Sequence, residues 1–377
     1  MAFISQSLIY MASFLVVLTA IVFVHEWGHF IVARLNGVRV EVFSIGFGRE
    51  LYGWDDRHGT RWKIGMLPFG GYVKFFGDAN AASMPGKAPD LTPAERAVAF
   101  HYKSVARRAA VVFAGPAANF IFAVLVYAAL FSTVGQPFTP PVIGEVAPGS
   151  VAAAAGLKAG DRILAIDGHA IERFQELRSR VVLSADTPIS ITFRRDGREQ
   201  TIEVTPRRVE QADGVGGKAK VGQIGIKAVQ ELDFVRHDPI SAVYYGVRET
   251  EDVVRTTMTY LGRFIEGQES GDSIGGMLSI AKMSGDVAQV SLAALVSLIA
   301  TFSISIGLIN LFPIPVLDGG HLLFYAVEAV RGRPLGERAQ EYGFRLGLVL
   351  VLTIFVFATW QDLVRLRIVS YLAGLFS

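Results

Sequence analysis

Hydrophobic and polar positions divide the chain into four long apolar runs, with two stretches of alternating or mixed pattern between them. Leu8–Val24 carries no charge, and after a short polar interruption Phe30–Ala33 is apolar again. Ala109–Val134 runs for 26 residues and Val287–Leu317 for 31 without a charge, and Leu346–Trp360 is a shorter fourth run. About 20 apolar residues cross a bilayer as a helix. The pattern therefore predicts transmembrane helices within 1–33, 109–134, 287–317 and 346–364. The last borrows Tyr342–Arg345 and Gln361–Val364, with Arg345 snorkelling to the interface. Between the first two runs, Val38–Ile45 alternates loosely and Arg61–Met66 reads as a strand. Pro68–Phe76 sets Gly70 and Gly71 among β-type residues, the mark of a hairpin or of a bulge where another backbone comes close. Its apolar flanks suit a hairpin packed on the protein or one dipping into the membrane face. Residues 77–95, rich in Ala, Gly, Pro and Asp, read as a loop.

Residues 135–230 have a different character. Val142–Val146 is a short strand, Val151–Leu157 a short helix, and Arg173–Val182 has helical spacing. Ile189, Ile191 and Phe193 alternate up to Asp196-Gly197, a hairpin turn, after which Ile202 and Val204 alternate again. Residues 209–222 read as a polar, Gly-rich loop, and Gly222–Ala228 as a last strand. Within 231–286, Pro239–Glu266 has the period of an amphipathic helix, lying on the membrane surface or simply connecting its neighbours. Residues 318–345 read as an interfacial helix and loop. The fold class is thus a polytopic α-helical membrane protein with about four spans, a membrane-associated β-hairpin region and an inserted α+β domain.

Composition sharpens this picture. Of 377 residues, 51% are hydrophobic and the mean hydropathy is +0.40, which fits a multi-pass protein. A net charge of +2 gives no reason to expect a nucleic-acid partner. With no cysteine, any metal must be held by His and carboxylate. No Lys or Arg precedes the first run, which continues into His25, so it reads as a retained span rather than a signal peptide. Lys and Arg concentrate in 34–108 and after the third run (Arg331, Arg333, Arg338, Arg345), which assigns those segments to the cytoplasm and 135–286 to the outside. Arg365 and Arg367 weigh slightly the other way.

The chemistry starts with His25-Glu26-Trp27-Gly28-His29, an H-E-x-x-H motif inside the first apolar run. Two histidines four apart share a helix face and can hold one metal ion, with the glutamate as general base on a water that the metal activates. An ionisable group at membrane depth costs roughly 2.5–3.5 kcal/mol on insertion scales, so three within five positions imply function over mere helix surface. The third run ends in Asn310-Leu311-Phe312-Pro313-Ile314-Pro315-Val316-Leu317-Asp318-Gly319-Gly320-His321. Its prolines break the helix, and Asp318 supplies the third ligand that catalytic zinc usually takes. It can also cap the helix that follows. Asn310 can donate to a substrate carbonyl or a developing oxyanion. His321 is either a fourth ligand or, as expected more often of a first-turn position, an interfacial histidine. Asn119, in Ala114-Gly115-Pro116-Ala117-Ala118-Asn119, reads as interhelical glue ahead of a substrate contact.

The two distant motifs together resemble the site-2 protease family (peptidase family M50) of intramembrane zinc metalloproteases, in particular bacterial members that cut anti-sigma factors. Gly156–Gly168, as G-L-x-x-G-D-x-I-x-x-I-x-G, resembles a bacterial PDZ domain. The best-known members carry two such domains and this chain has room for one. The resemblance implies one zinc ion on His25, His29 and Asp318, with Glu26 as general base. It further implies Gly70, Gly71 and Tyr72 as an edge strand for the unwound substrate, and Ile143, Gly144, Glu145 and Val146 as the peptide-binding strand of the PDZ domain, unless that domain is only a steric cap. The implied partners are the lipid bilayer and single-pass membrane proteins already trimmed by another protease. The implied place is the cell inner membrane, with the PDZ domain outside and the active site toward the cytoplasm. A non-catalytic PDZ adaptor and a metal-ion transporter remain as alternatives. Neither needs a general base at Glu26.

Overall fold

The computed structural model describes residues 2–77, 91–212, 218–267 and 275–365. Among these, four helices are long and apolar enough to cross a membrane: Gln6–Leu35, Val105–Thr133, Leu292–Asn310 and Arg338–Val364. Several small antiparallel sheets accompany them. The chain divides into two compact units, one built from residues 1–129, 243–260 and 269–377, the other from 130–242 and 261–268.

In the first unit, α1 (Ala2–Leu35) leads into an antiparallel pair, β1 (Val40–Asp55) and β2 (Arg61–Phe75). The turn between them lies at 56–60, where Asp56 Oδ1 accepts from the N–H groups of His58 (2.8 Å) and Thr60 (3.0 Å). Arg34 at the end of α1 pairs with Asp56, which anchors the turn to the helix. Gly70 and Gly71 lie inside β2 rather than at a turn. The strand pair carries register shifts along much of its length, so the glycines serve an irregular ladder, not a hairpin tip. Phe23, Trp27 and Phe30 of α1 pack against Phe43 of β1 and Trp62 of β2, which fixes the hairpin on the helix that carries the H-E-x-x-H motif.

The expected loop at 77–95 lies mostly outside the described residues, but its end does not fit the expectation. Residues 93–98 form α2 (Pro93–Val98), opened by a capping box between Thr92 and Glu95, a signal present in the sequence as T-P-A-E. Then comes α3 (Val105–Thr133), with Pro116 inside it. It crosses α1 at very short range: a Cβ on Gly28 would stand 2.2 Å from the Ala114 carbonyl oxygen.

The second unit contains β3 (Gln136–Phe138), β4 (Ile143–Val146), α4 (Val151–Ala154), β5 (Arg162–Ile166), β6 (His169–Ala170), α5 (Phe174–Leu183), β7 (Ile189–Arg195) and β8 (Arg198–Val204). After them follow β9 (Arg207–Ala212), β10 (Lys218–Gln223), β11 (Ile226–Ala228) and β12 (Asp233–Val235). The expected loop at 209–222 is instead largely the antiparallel pair β9–β10; the polar letters that suggested a loop suit a solvated two-stranded ribbon equally well. The core is alternate residues of β7 (Ile189, Ile191, Phe193) with Ile163 and Ile166 of β5, brought to one face by a register shift between Ile163 and Ala165, closed by Leu177 and Val181 of α5. Asp161 is 1% exposed and accepts from Arg195 Nε (2.7 Å), Arg195 Nη2 (2.6 Å) and the Lys158 N–H (2.8 Å). Arg195→Ala would leave the buried Asp161 carboxylate with the Lys158 N–H as its remaining donor and is expected to destabilise this unit. Protease susceptibility of this unit in urea, measured on the whole chain, reads the effect; an unchanged midpoint would mean that Asp161 is satisfied without Arg195.

Past α6 (Pro239–Ile265), the structure corrects the third apolar run. It is not one span over 287–317. The chain forms α7 (Met277–Val290), breaks at Ser291 (φ −168°, ψ 157°), and restarts as α8 (Leu292–Asn310), with Ser291 Oγ accepting from the Ala294 N–H at 3.0 Å. A serine is uncharged and does not interrupt a hydropathy run, yet it is among the best N-caps. After the proline turn come α9 (Asp318–Arg331) and α10 (Glu337–Arg365). The fourth span thus begins well before Leu346, within what the sequence suggested as loop, because charged residues in its first turns hide a continuous helix from a hydropathy reading.

Candidate active site

Three side chains from the two ends of the chain meet in the first unit. His25 Nε2 lies 3.2 Å from His29 Nε2 and 3.1 Å from Asp318 Oδ2, and His29 Nε2 lies 3.5 Å from Asp318 Oδ1. Ligand atoms about 2.0–2.1 Å from one ion at tetrahedral angles are about 3.3 Å apart, so the spacing suits a single zinc. The donor set agrees. Asp318 Oδ2 is buried without a hydrogen-bond partner, and His29 donates its Nδ1–H to the Val111 carbonyl at 2.9 Å, leaving the Nε2 lone pair to face the cluster. Among the described residues the cluster able to hold a metal ion is His25, His29 and Asp318. His321 is in the wall of the same cavity, edge-on to the Phe344 ring at 5.3 Å, and is not in the cluster.

Local sequence explains how each ligand is aimed. The two histidines stand one turn apart on α1. Asp318 is the first residue of α9; the cap position is Leu317, without a side-chain cap bond, so the expected capping role for Asp318 is not what the helix uses. The turn before it is very tight. A Cβ on Gly319 would stand 2.2 Å from the Phe312 carbonyl oxygen, and one on Gly320 2.5 Å from that of Ile314. Val316 is held at φ +109°, a conformation that costs a β-branched residue on the order of 1–3 kcal/mol. Arg108 of α3 pairs with Glu328 of α9 at 2.6 Å, both mostly buried, and steadies the helix that presents Asp318.

Glu26 faces the same cavity, which is about 200 Å³ and is also lined by Gly71, Tyr72, Val73, Asn310 and Tyr325. The Val73 N–H bonds to the Glu26 carboxylate. A Cβ on Gly71 would stand 3.2 Å from Glu26 Cγ, so glycine is what lets β2 run alongside the acid. Of the expected substrate residues, Gly71, Tyr72 and Asn310 line the cavity; Gly70, one position earlier, has its would-be Cβ against the Phe47 ring at 2.6 Å.

Ile143, Gly144, Glu145 and Val146 belong to the second unit. Their strand is paired to β11, and Ile143 also bonds to the turn at 160–161 through its N–H and its carbonyl. One groove of that unit lies between Leu177 and Val181 of α5 and residues 222–226, with a volume of about 460 Å³, and another of about 630 Å³ is lined by Ile171, Gln175, Ser179 and Leu183.

Two contributors were not legible in the sequence. A backbone carbonyl such as that of Val111 carries no residue signature. Gly115 reads as a packing glycine, yet a Cβ there would stand 2.3 Å from His29 Nε2 and 3.0 Å from His25 Cε1. Gly115→Ala is therefore expected to push the His29 ring aside and weaken zinc binding by about 10–100-fold, the scale of lost ligand orientation. Competition with a chelator of known affinity measures this; parental affinity in the variant would mean that α3 yields to the methyl group.

The model of Peptidase family M50 matches residues 13–354. The chain is 46% identical over 359 residues to an Agrobacterium fabrum protein named as a candidate zinc metalloprotease, covering 94% of this chain and 95% of that one. A similarly named protein of Rhizobium meliloti is 46% identical over 356 residues, with 93% and 95% covered. Metalloprotease MmpA of Caulobacter vibrioides is 41% identical over 395 residues, with 98% and 99% covered. Among solved structures, the PDZ domain of an SdrC-like protein from Listeria monocytogenes is similar over 24% of this chain and 90% of its own (22% identity, TM-score 0.20), too slight a likeness to carry the fold of the second unit.

Proposed function

The chain belongs to peptidase family M50 and is a zinc metalloprotease, and from that premise we propose that it cuts single-pass membrane proteins inside their transmembrane segments. The observation that carries this reading is the meeting of His25, His29 and Asp318 beside Glu26 and the Gly71–Val73 stretch of β2, with both histidines and Glu26 inside a helix long and apolar enough to cross a membrane. One zinc ion fits the three ligands; bound there, it supplies Lewis acidity to the scissile carbonyl and makes water acidic enough to attack near neutral pH. Glu26 takes the proton from the attacking water and returns it to the leaving amine. Asn310, in the cavity wall, donates from its amide to the carbonyl oxygen as charge develops on it.

A transmembrane helix hides its peptide bonds in i→i−4 hydrogen bonds and must unwind to be cut. Gly71 and Tyr72 on β2, extended by Gly70, offer the unwound segment a strand to pair with, satisfying backbone groups that have no water to bond in the bilayer. The Lys/Arg bias supports an inner-membrane protein with the site toward the cytoplasm and the second unit outside. That unit acts as a PDZ domain that holds back substrates whose outer part has not yet been trimmed by another protease. Its groove between α5 and 222–226 supports peptide binding there rather than at β4. Anti-sigma factors are the substrate class implied by the family's bacterial members.

The test is cleavage of a single-pass substrate by purified protein in proteoliposomes. Fragments are expected to end inside the apolar segment, with the reaction stopped by a zinc chelator and restored by zinc. Cutting confined to water-exposed segments, or cutting insensitive to chelation, would overturn the proposal.

A further inference from the structure

The histidines enter the site from α1, but α3 holds their rings. Val111, Gly115 and Asn119 are four residues apart along one face of α3, and each meets a ligand. Val111 receives the His29 Nδ1–H, Gly115 leaves room for both rings, and Asn119 stands behind His25. The Asn119 side chain has no exposed surface. Its carboxamide is 3.2 Å from His25 Nδ1 through Nδ2, while its Oδ1 is buried without a hydrogen-bond partner. The oxygen and nitrogen of a carboxamide are nearly equal in shape, so the hydrogen bonds decide which faces the ring. Here the ring decides. His25 Nε2 faces His29 and Asp318; a histidine that ligates through Nε2 carries its proton on Nδ1, and that proton needs an acceptor. A half-turn of the amide puts Oδ1 in that place.

We propose that Asn119 is a positioning residue of the metal site: its Oδ1 accepts from His25 Nδ1–H and holds the tautomer whose Nε2 lone pair points at the ion. The inference rests on the zinc reading of His25, His29 and Asp318. Asn119 is itself held from the other side. Ser303 Oγ of α8 donates to the Asn119 backbone carbonyl at 3.1 Å, and a Cβ on Gly307 would stand 3.1 Å from Asn119 Cβ. The helix that leads to Asp318 thus presses on the residue that orients His25, so both halves of the site are referenced to one point on α3. Interhelical glue alone would need a polar side chain at this depth, but not one aimed at the far nitrogen of a metal ligand.

The experiment measures zinc affinity of the full-length protein in detergent by competition with a chelator, for the parent and for Asn119→Ala, Asn119→Leu and Asn119→Asp. Asp318→Ala serves as the control for the site itself. Ala and Leu, which remove the acceptor, are expected to weaken zinc binding about 10–100-fold. Asp, which keeps an acceptor oxygen at the same reach, is expected to stay within about threefold of the parent, a rescue that a packing role would not produce. If Leu does not fold, Ala decides. Parental affinity in Ala and Leu overturns the proposal, and so does equal weakening in all three variants, which would mean that shape rather than the acceptor matters. Failure of the parent to bind zinc, or parental binding by Asp318→Ala, would instead sink the underlying zinc reading.

Discussion

Glu26→Gln is expected to keep one zinc ion per chain and to lose about 10²–10⁴-fold in the single-turnover rate of cleavage, the range that a general acid–base contributes. Glu26 is outside the ligating cluster, so the amide replacement leaves His25, His29 and Asp318 unchanged. What it removes is the ability to take a proton from water and return it to the amine. The amide also meets the Val73 N–H poorly if its nitrogen faces that group, but it can turn its oxygen there, so β2 keeps its place beside the site. Metal content by elemental analysis and cleavage by gel-based single-turnover assay separate the two effects. A glutamine variant that cuts like the parent would refute the assignment, and it would also reopen the transporter and adaptor readings, which have no use for a base at this position.

Asp318→Ala is expected to weaken zinc binding by more than about 10²-fold, beyond the loss typical of a partner that only orients a ligand, and to abolish cleavage with it. In the proposed site the carboxylate supplies one of three protein ligands, and its Oδ2 has no hydrogen-bond partner to account for its burial. The variant should fold, because Asp318 makes no cap bond and α9 is held through Glu328 to Arg108. Helix content by circular dichroism should therefore match the parent while chelator competition shows the loss. Stoichiometric zinc of parental affinity in Asp318→Ala would place the metal elsewhere.

Particular residues show where the sequence was readable. H-E-x-x-H spaced His25 and His29 on one helix face by local geometry alone, and the depth of the motif in an apolar run marked it as functional. The first, second and fourth apolar runs each correspond to a helix, because hydropathy is a sum over neighbours in the chain. The same property failed at Ser291, where a single capping hydroxyl divides a run with no charge in it, and at Glu337–Arg345, where charged first turns belong to a helix that the letters suggest has not begun. Turn chemistry is readable at Asp196-Gly197, whereas the β1–β2 turn at 56–60 is built by Asp56 accepting from backbone N–H groups, a weaker local signal than the glycines at 70–71 that lie inside β2. For β9–β10, polarity concealed a ribbon whose pairing is non-local.

By itself, the sequence determined a set of candidate groups: two imidazoles and a carboxylate suited to a metal, and a second carboxylate suited to proton transfer. It also set them within or beside long apolar runs, since residue type and local spacing are enough to specify candidate donors, a candidate base and apolar surroundings. Only the tertiary structure decided how those groups are aimed. Asp318 reaches the histidines across nearly 300 residues, and the rings are held by the Val111 carbonyl, the absent side chain of Gly115 and the carboxamide of Asn119. Those contacts depend on the distance between helices packed through small residues, a quantity that no local pattern of letters encodes.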